Sequence, residues 1–111
     1  MEIGEVLRID DVVTGFDDNK PQRPCMVVRI TAAPRAGAWV LPRSTRGSDG
    51  TFVPAGALPG LDKDGRFMVL PRFVATADLE GCPSLGVLGA ADRDRVLDNL
   101  NDVVIDLQIE L

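Results

Sequence analysis

Two arginine-bearing stretches have residue types and spacing suited to chemistry on a phosphate. The first is Gln22-Arg23-Pro24, which runs directly into the apolar, strand-like segment Cys25-Met26-Val27-Val28-Arg29-Ile30. Pro24 has a fixed φ and drives the residue before it toward extended geometry, so the backbone largely sets where the Arg23 guanidinium points. The second is Ala38-Trp39-Val40-Leu41-Pro42, which empties into Arg43-Ser44-Thr45-Arg46-Gly47, two hydroxyls bracketed by two arginines. A fixed guanidinium binds phosphate oxygens through charge-assisted hydrogen bonds, and a hydroxyl can donate to a developing negative charge. Together the stretches outline a phosphate site. The plainer reading pairs Arg23 with a loop carboxylate, Asp17 or Asp18, and leaves Arg43 and Arg46 as solvated charge on a turn; both readings stay open at this point.

Other chemistries are excluded by what the chain lacks. It contains no histidine, which rules out a histidine-based triad and the usual zinc sites, and neither a metal nor a cofactor is expected. Cys25 stands in an apolar run and Cys82 beside Pro83; without CxxC spacing they read as two packed thiols with no catalytic role. Gly86-Val87-Leu88-Gly89 lacks the Gly-Lys-Ser/Thr ending of a phosphate loop and reads as a turn. Trp39, the single tryptophan, lies in mid-strand and is expected in the core rather than as a base-stacking platform.

The elements that must position the arginines follow from period and punctuation. Gly4 to Ile9 is strand-like, and Thr14 to Pro21 is a polar, turn-rich loop leading to Arg23. Residues 25–32 and 38–42 form two further strands joined through Ala33-Pro34-Arg35-Ala36-Gly37. Ser48 to Asp64 is mostly loop around a short strand at Thr51-Phe52-Val53. Arg66 to Ala77 is extended, and Pro71 marks an edge or bulge that splits it into two strands. Gly81 to Gly89 reads as a compact turn region. Val96, Leu97, Leu100, Val103, Val104 and Leu107 then fall on one face of a helix from about Ala91 to Leu107, with Asp92 and Asp94 expected in its first turn. About five to seven short strands and one terminal helix predict a mainly β protein, a small, strongly curved barrel with the helix packed on it.

The 111 residues suit one domain, residues 1–111, and a subunit interface would help so small a core. No apolar run approaches the length of a membrane span, and Met1-Glu2-Ile3-Gly4-Glu5 lacks the features of a signal peptide, so a cytoplasmic location is expected. Residues 1–72 carry ten Lys/Arg against nine Asp/Glu, and residues 73–111 carry two against eight. The net charge of −5 argues against nonspecific coating by nucleic acid, while a local arginine cluster remains compatible with RNA.

In order along the chain, five segments resemble motifs of the MazF/PemK family of bacterial toxin ribonucleases. Gly4-Glu5-Val6 is similar to the family's opening strand, Arg23-Pro24-Cys25-Met26-Val27-Val28 to its Arg-Pro strand, and Val40-Leu41-Pro42-Arg43-Ser44-Thr45 to its Pro/Thr/Ser strand end. Val74-Ala75-Thr76-Ala77-Asp78 and Leu85-Gly86-Val87-Leu88, followed by a helix, resemble its last two motifs. The resemblance implies an SH3-like barrel with a C-terminal helix, usually a homodimer, that cleaves single-stranded RNA without metal and is held inactive by a cognate antitoxin.

In that chemistry the ribose 2′-OH attacks the neighbouring phosphate, leaving a cyclic phosphate and a free 5′-OH. Carried over by motif, Arg23 falls on the family's catalytic arginine, Ser44 on its threonine and Thr45 on the serine that follows. Arg43, Arg46 and Arg72 are the further candidates for substrate binding. The sequence differs from the pattern at Ser44, at Ala75, where the family has arginine, and at Arg72, where it often has an acid; that exchange either relocates phosphate binding or abolishes it. If the reading holds, Arg23 and Ser44 or Thr45 share one concave surface. The alternatives are a noncatalytic barrel of the same ancestry that binds a protein or nucleic acid, and, more weakly, a CcdB-like gyrase inhibitor.

Overall fold

The computed structural model describes residues 1–16, 21–46 and 48–107, the side chains of 105–107 excepted. The chain is mainly β. Seven strands, β1 (Glu5–Ile9), β2 (Arg23–Thr31), β3 (Gly37–Ser44), β4 (Thr51–Val53), β5 (Gly65–Phe67), β6 (Arg72–Ala75) and β7 (Ser84–Val87), are joined by two single-turn helices, α1 (Asp11–Thr14) and α2 (Thr76–Leu79), and end in α3 (Ala90–Leu107). The order across the sheet is β4-β5-β3-β2-β1-β7, with β6 also on β3 and every pairing antiparallel.

The sheet is a curled half-barrel, and the sequence shows why it curls. β3 changes partner along its length: Gly37 to Val40 pair with β6, and Arg43 and Ser44 pair with β5. Pro42 lies at the changeover, where its carbonyl accepts from the Met68 amide at 2.8 Å. Pro71 falls between β5 and β6, the break expected of a residue that cannot donate to a ladder. Register shifts at Val27/Arg29 in β2 and opposite Val6/Leu7 in β1 are bulges, which add twist and bend the strands.

Apolar residues fill both faces. On one, Val6, Met26, Val28, Leu41, Val53 and Phe67 meet Val96 and Leu100 of α3, with Leu97 and Val104 packed at the margin. On the other, Leu7, Ile9, Cys25, Val27, Val40 and Val74 pack with Leu79 of α2. The expected helical stripe is thus the face that α3 buries, although the Leu107 side chain lies outside the described residues. Asn99 Nδ2 donates to Thr51 Oγ1 at 2.6 Å and ties α3 to β4. Asp92 is in the first turn of α3, and Asp94 comes after it.

One expectation is corrected, and one element is added. The Gly81–Gly89 region contains β7, which pairs with β1. Its glycines and proline hide a strand whose pairing partner lies at the other end of the chain. Residues 11–14, just ahead of the polar loop, form a helical turn closed by Gly15, whose φ of 72° is the left-handed conformation that suits a helix end. Among the described residues no helix is long and apolar enough to cross a membrane.

Candidate functional site

Arg23, the first residue of β2, is only 1% exposed. Its Nε donates to Asp11 Oδ1 at 2.8 Å and its Nη2 to Asp11 Oδ2 at 3.3 Å, a two-point grip on a carboxylate that is also 1% exposed. Its Nη1 donates to the Arg43 carbonyl at 2.6 Å, and the guanidinium carbon sits 4.2 Å from the centre of the Phe16 ring. The charge is therefore fixed, as Pro24 implied, but it is a strut between α1, β2 and β3 rather than the tip of an exposed loop. Among the described residues a carboxylate that grips it is Asp11; Asp17 and Asp18 lie outside the described residues. Nothing in Asp10-Asp11 marks the second acid as the buried one, because the turn that points it inward is only four residues long.

Arg43 was expected on a turn and is instead within β3, 4% exposed. Its Nη2 donates to the Val53 carbonyl at 2.6 Å and to the Lys63 carbonyl at 2.8 Å, stitching β3 to the end of β4 and to the segment that leads into β5. Its Nε is buried and has no hydrogen-bond partner among the described residues. Burial lowers the pKa of the Arg43 guanidinium, against the opposing pull of the Asp64 charge. Gly65 makes room for this arrangement, since a Cβ there would come 2.8 Å from the Ser44 carbonyl and 3.0 Å from the Arg43 guanidinium carbon.

Arg23, Arg43 and Thr45 line one cavity of about 230 Å³, together with Arg8, Asp62 and Lys63. The expected convergence of Arg23 with a hydroxyl is thus met by Thr45. Ser44 Oγ is committed elsewhere, accepting from the Arg46 amide and donating to the Arg46 carbonyl, both at 3.1 Å, which closes the turn after β3. Arg46 is exposed and does not line the cavity. Arg72 is half-buried and faces a different cavity, one that it shares with Phe16, Asp49 and Leu70; its Nε is also buried and has no hydrogen-bond partner among the described residues.

Arg8, Asp62 and Lys63 were not singled out in the sequence. Arg8 reaches the cavity from β1, where its Nη2 donates to the Gly60 carbonyl at 3.1 Å. Asp62 and Lys63 stand in a Gly/Pro-rich stretch that reads as loop, and only the return of β5 onto β3 brings that loop over the strand ends. Among the described residues the cavity therefore gathers four basic side chains and one carboxylate around a threonine hydroxyl. Converging donors of this kind suit an anion with several oxygens.

The two thiols are not part of it. Cys25 is fully buried, and burial pushes its pKa up to about 12; Cys82 is half-buried and its pKa is raised by burial as well. Among the described residues no three His, Cys, Asp or Glu side chains cluster as metal ligands would. No protein-family model matches the chain, and no curated protein matches it.

Proposed function

We propose that the chain is a metal-independent endoribonuclease of the MazF/PemK kind, the cytoplasmic, homodimeric toxin of a type II toxin–antitoxin pair, which cleaves single-stranded RNA at the Arg23/Arg43/Thr45 cavity. The observation that carries this reading is the meeting of Arg23 and Thr45, from two motifs separated in sequence, in a cavity that also collects Arg8, Arg43 and Lys63.

The chemistry assigns each group a task. The 2′-oxygen bonds to phosphorus as the bond to the 5′-oxygen breaks, and negative charge grows on the non-bridging oxygens. Lys63 binds those oxygens, Arg43 adds its fixed charge from the cavity wall, and Thr45 Oγ donates to the developing charge. Asp62, a carboxylate on the cavity wall, takes the 2′-OH proton, and Lys63 protonates the departing 5′-oxygen. Arg23 is a positioning residue here: its donors hold Asp11 and the Arg43 carbonyl, so it fixes the Arg43 backbone and adds its charge from behind.

The same commitments favour a second reading, a noncatalytic barrel that binds a nucleic-acid or protein partner. Ser44 Oγ is bound into a turn and three nitrogens of Arg23 already donate to protein acceptors. Cleavage of a fluorogenic RNA in EDTA separates the two. On the first reading the wild type cleaves it, and Thr45→Ala or Lys63→Ala, both at exposed positions, lowers the rate by roughly 100-fold, the scale of one lost oxyanion donor. No cleavage of any RNA by the wild type, with growth unaffected on expression, selects the binding module.

A further inference from the structure

We propose that Arg8 is the arginine that grips phosphate in the Arg23/Arg43/Thr45 cavity, binding two of its oxygens with donors that the fold leaves unspent. Strand register places it there. Val6 pairs with Met26 and Met26 with Leu41, a buried row on the face that α3 covers. Side chains alternate along a strand, so the next row on that face, two residues on in each strand, is Arg8, Pro24 and Arg43. All three line the cavity. Adjacent strands lie about 4.8 Å apart, which sets the two arginines roughly 10 Å from each other with only the short, uncharged ring of Pro24 between them.

Both arginines also reach the loop between β4 and β5, and that loop is a firm support. The Gly56 amide donates to the Leu61 carbonyl at 2.9 Å, the Leu61 amide to the Leu58 carbonyl at 3.1 Å and the Ala55 amide to Asp64 Oδ1 at 2.7 Å, while Leu58 and Leu61 are buried in the core. Arg8 Nη2 donates to the Gly60 carbonyl at 3.1 Å. Gly60 has a φ of 89°, and a Cβ there would come 3.1 Å from Arg8 Nη2, so glycine is what lets the carbonyl meet the guanidinium. What the basic groups have left to offer then differs. Three nitrogens of Arg23 hold protein acceptors, and Arg43 is 4% exposed with its Nε buried. Arg8 is half-buried, and its Nε and Nη1 have no acceptor among the described residues. A planar guanidinium held at one corner presents its other donors in a fixed plane, the geometry that fits two phosphate oxygens, whereas the Lys63 ammonium is a point charge on a flexible stem. The inference deepens the reading of this cavity and rests on it only for the natural source of the phosphate, a nucleic-acid strand or the free anion.

The test reads binding rather than cleavage. The probe is a labelled 2′-O-methyl oligonucleotide of about eight residues, which cannot be cut by 2′-OH attack and covers a typical single-strand site; its anisotropy is followed across a series of salt concentrations. Each phosphate contact to a single strand adds about 0.7 to the slope of log affinity against log salt. Arg8→Gln removes the charge and keeps an amide that can donate to the Gly60 carbonyl. It is expected to weaken binding roughly 10-fold or more and to lower the slope by about 0.7. Arg8→Lys keeps the slope and lowers the affinity, because the charge stays and the fork is lost. Arg95→Gln makes the same change of net charge on an exposed turn of α3 and leaves the slope as it is in the wild type.

Arg8→Gln with the affinity and slope of the wild type would overturn the proposal. Weaker binding joined to faster hydrogen exchange at the Gly56 and Leu61 amides would overturn it too, since Arg8 would then act only by holding the loop. Calorimetry with inorganic phosphate separates the sources. Oligonucleotide binding that depends on Arg8, without any RNA cleavage, supports the Arg8 site and overturns the ribonuclease reading. Binding of inorganic phosphate alone, weakened in Arg8→Gln, does the same and names the free anion as the ligand. A wild type that binds neither overturns the proposal.

Discussion

Asp11→Ala tests the strut that positions Arg43. The pair is 2.8 Å long with both side chains 1% exposed, and the substitution removes the acceptors of two Arg23 nitrogens at once. Breaking a buried pair by removing one partner costs about 3–5 kcal/mol, a large part of the total stability of about 5–15 kcal/mol for a domain. The structure contains its own control, because Arg95 and Asp92 on α3 lie just as close, 2.7 Å, with side chains 49% and 31% exposed. An exposed pair contributes about 0.2–1 kcal/mol. Distance alone would rank the two pairs equally, so burial decides the difference. Urea unfolding followed by Trp39 emission measures it: at a slope of about 2 kcal/mol per molar, Asp11→Ala lowers the midpoint by about 2 M and Asp92→Ala by less than about 0.5 M. The double variant Asp11→Leu/Arg23→Met removes both charges and recovers most of the loss. Equal midpoint shifts for Asp11→Ala and Asp92→Ala would refute the reasoning.

Further consequences concern packing and pH. Gly65→Ala places a methyl group against the Ser44 carbonyl and the Arg43 guanidinium, and overpacking of this kind costs about 1–3 kcal/mol, which a thermal melt reads as a fall of several degrees; an unchanged melt would show that Arg43 has room to move. Cys25 has its pKa raised from an ordinary 9.0 to about 12 by burial, so in the folded chain it stays protonated after the unfolded thiol has ionised. Its contribution is therefore fully present below pH 9 and is lost as pH rises toward 12. The stability difference between wild type and Cys25→Ala should shrink by about 1.4 kcal/mol from pH 8 to pH 10 in paired urea titrations, and a constant difference would contradict the burial argument.

Much of the fold was legible because it is written in local signals. Pro71 divided an extended run, the apolar stripe of Val96 and Leu100 announced a packed helix, and Pro24 fixed the direction of Arg23. β7 was not legible, since Gly81, Pro83, Gly86 and Gly89 read as turns and only β1, near the other end of the chain, supplies its hydrogen bonds. The site was half legible for the same reason. Arg23, Arg43 and Thr45 sit at strand ends where punctuation points to them, whereas Arg8, Asp62 and Lys63 enter through pairings that sequence spacing does not encode. Burial was the least visible property: Arg43 and Arg46 look alike in sequence, yet one is 4% exposed and stitches carbonyls while the other faces solvent.

The central claim is that the Arg23/Arg43/Thr45 cavity promotes attack by a ribose 2′-OH on its neighbouring phosphate, and the identity of the products tests it most directly. An RNA and the same strand with one deoxyribose at the cleaved position are incubated with the protein in EDTA, and the fragments are weighed by mass spectrometry. The account predicts a 2′,3′-cyclic phosphate and a free 5′-OH from the RNA, and no cut at the deoxy position. A cut at the deoxy position, or a fragment bearing a 5′-phosphate, would contradict it.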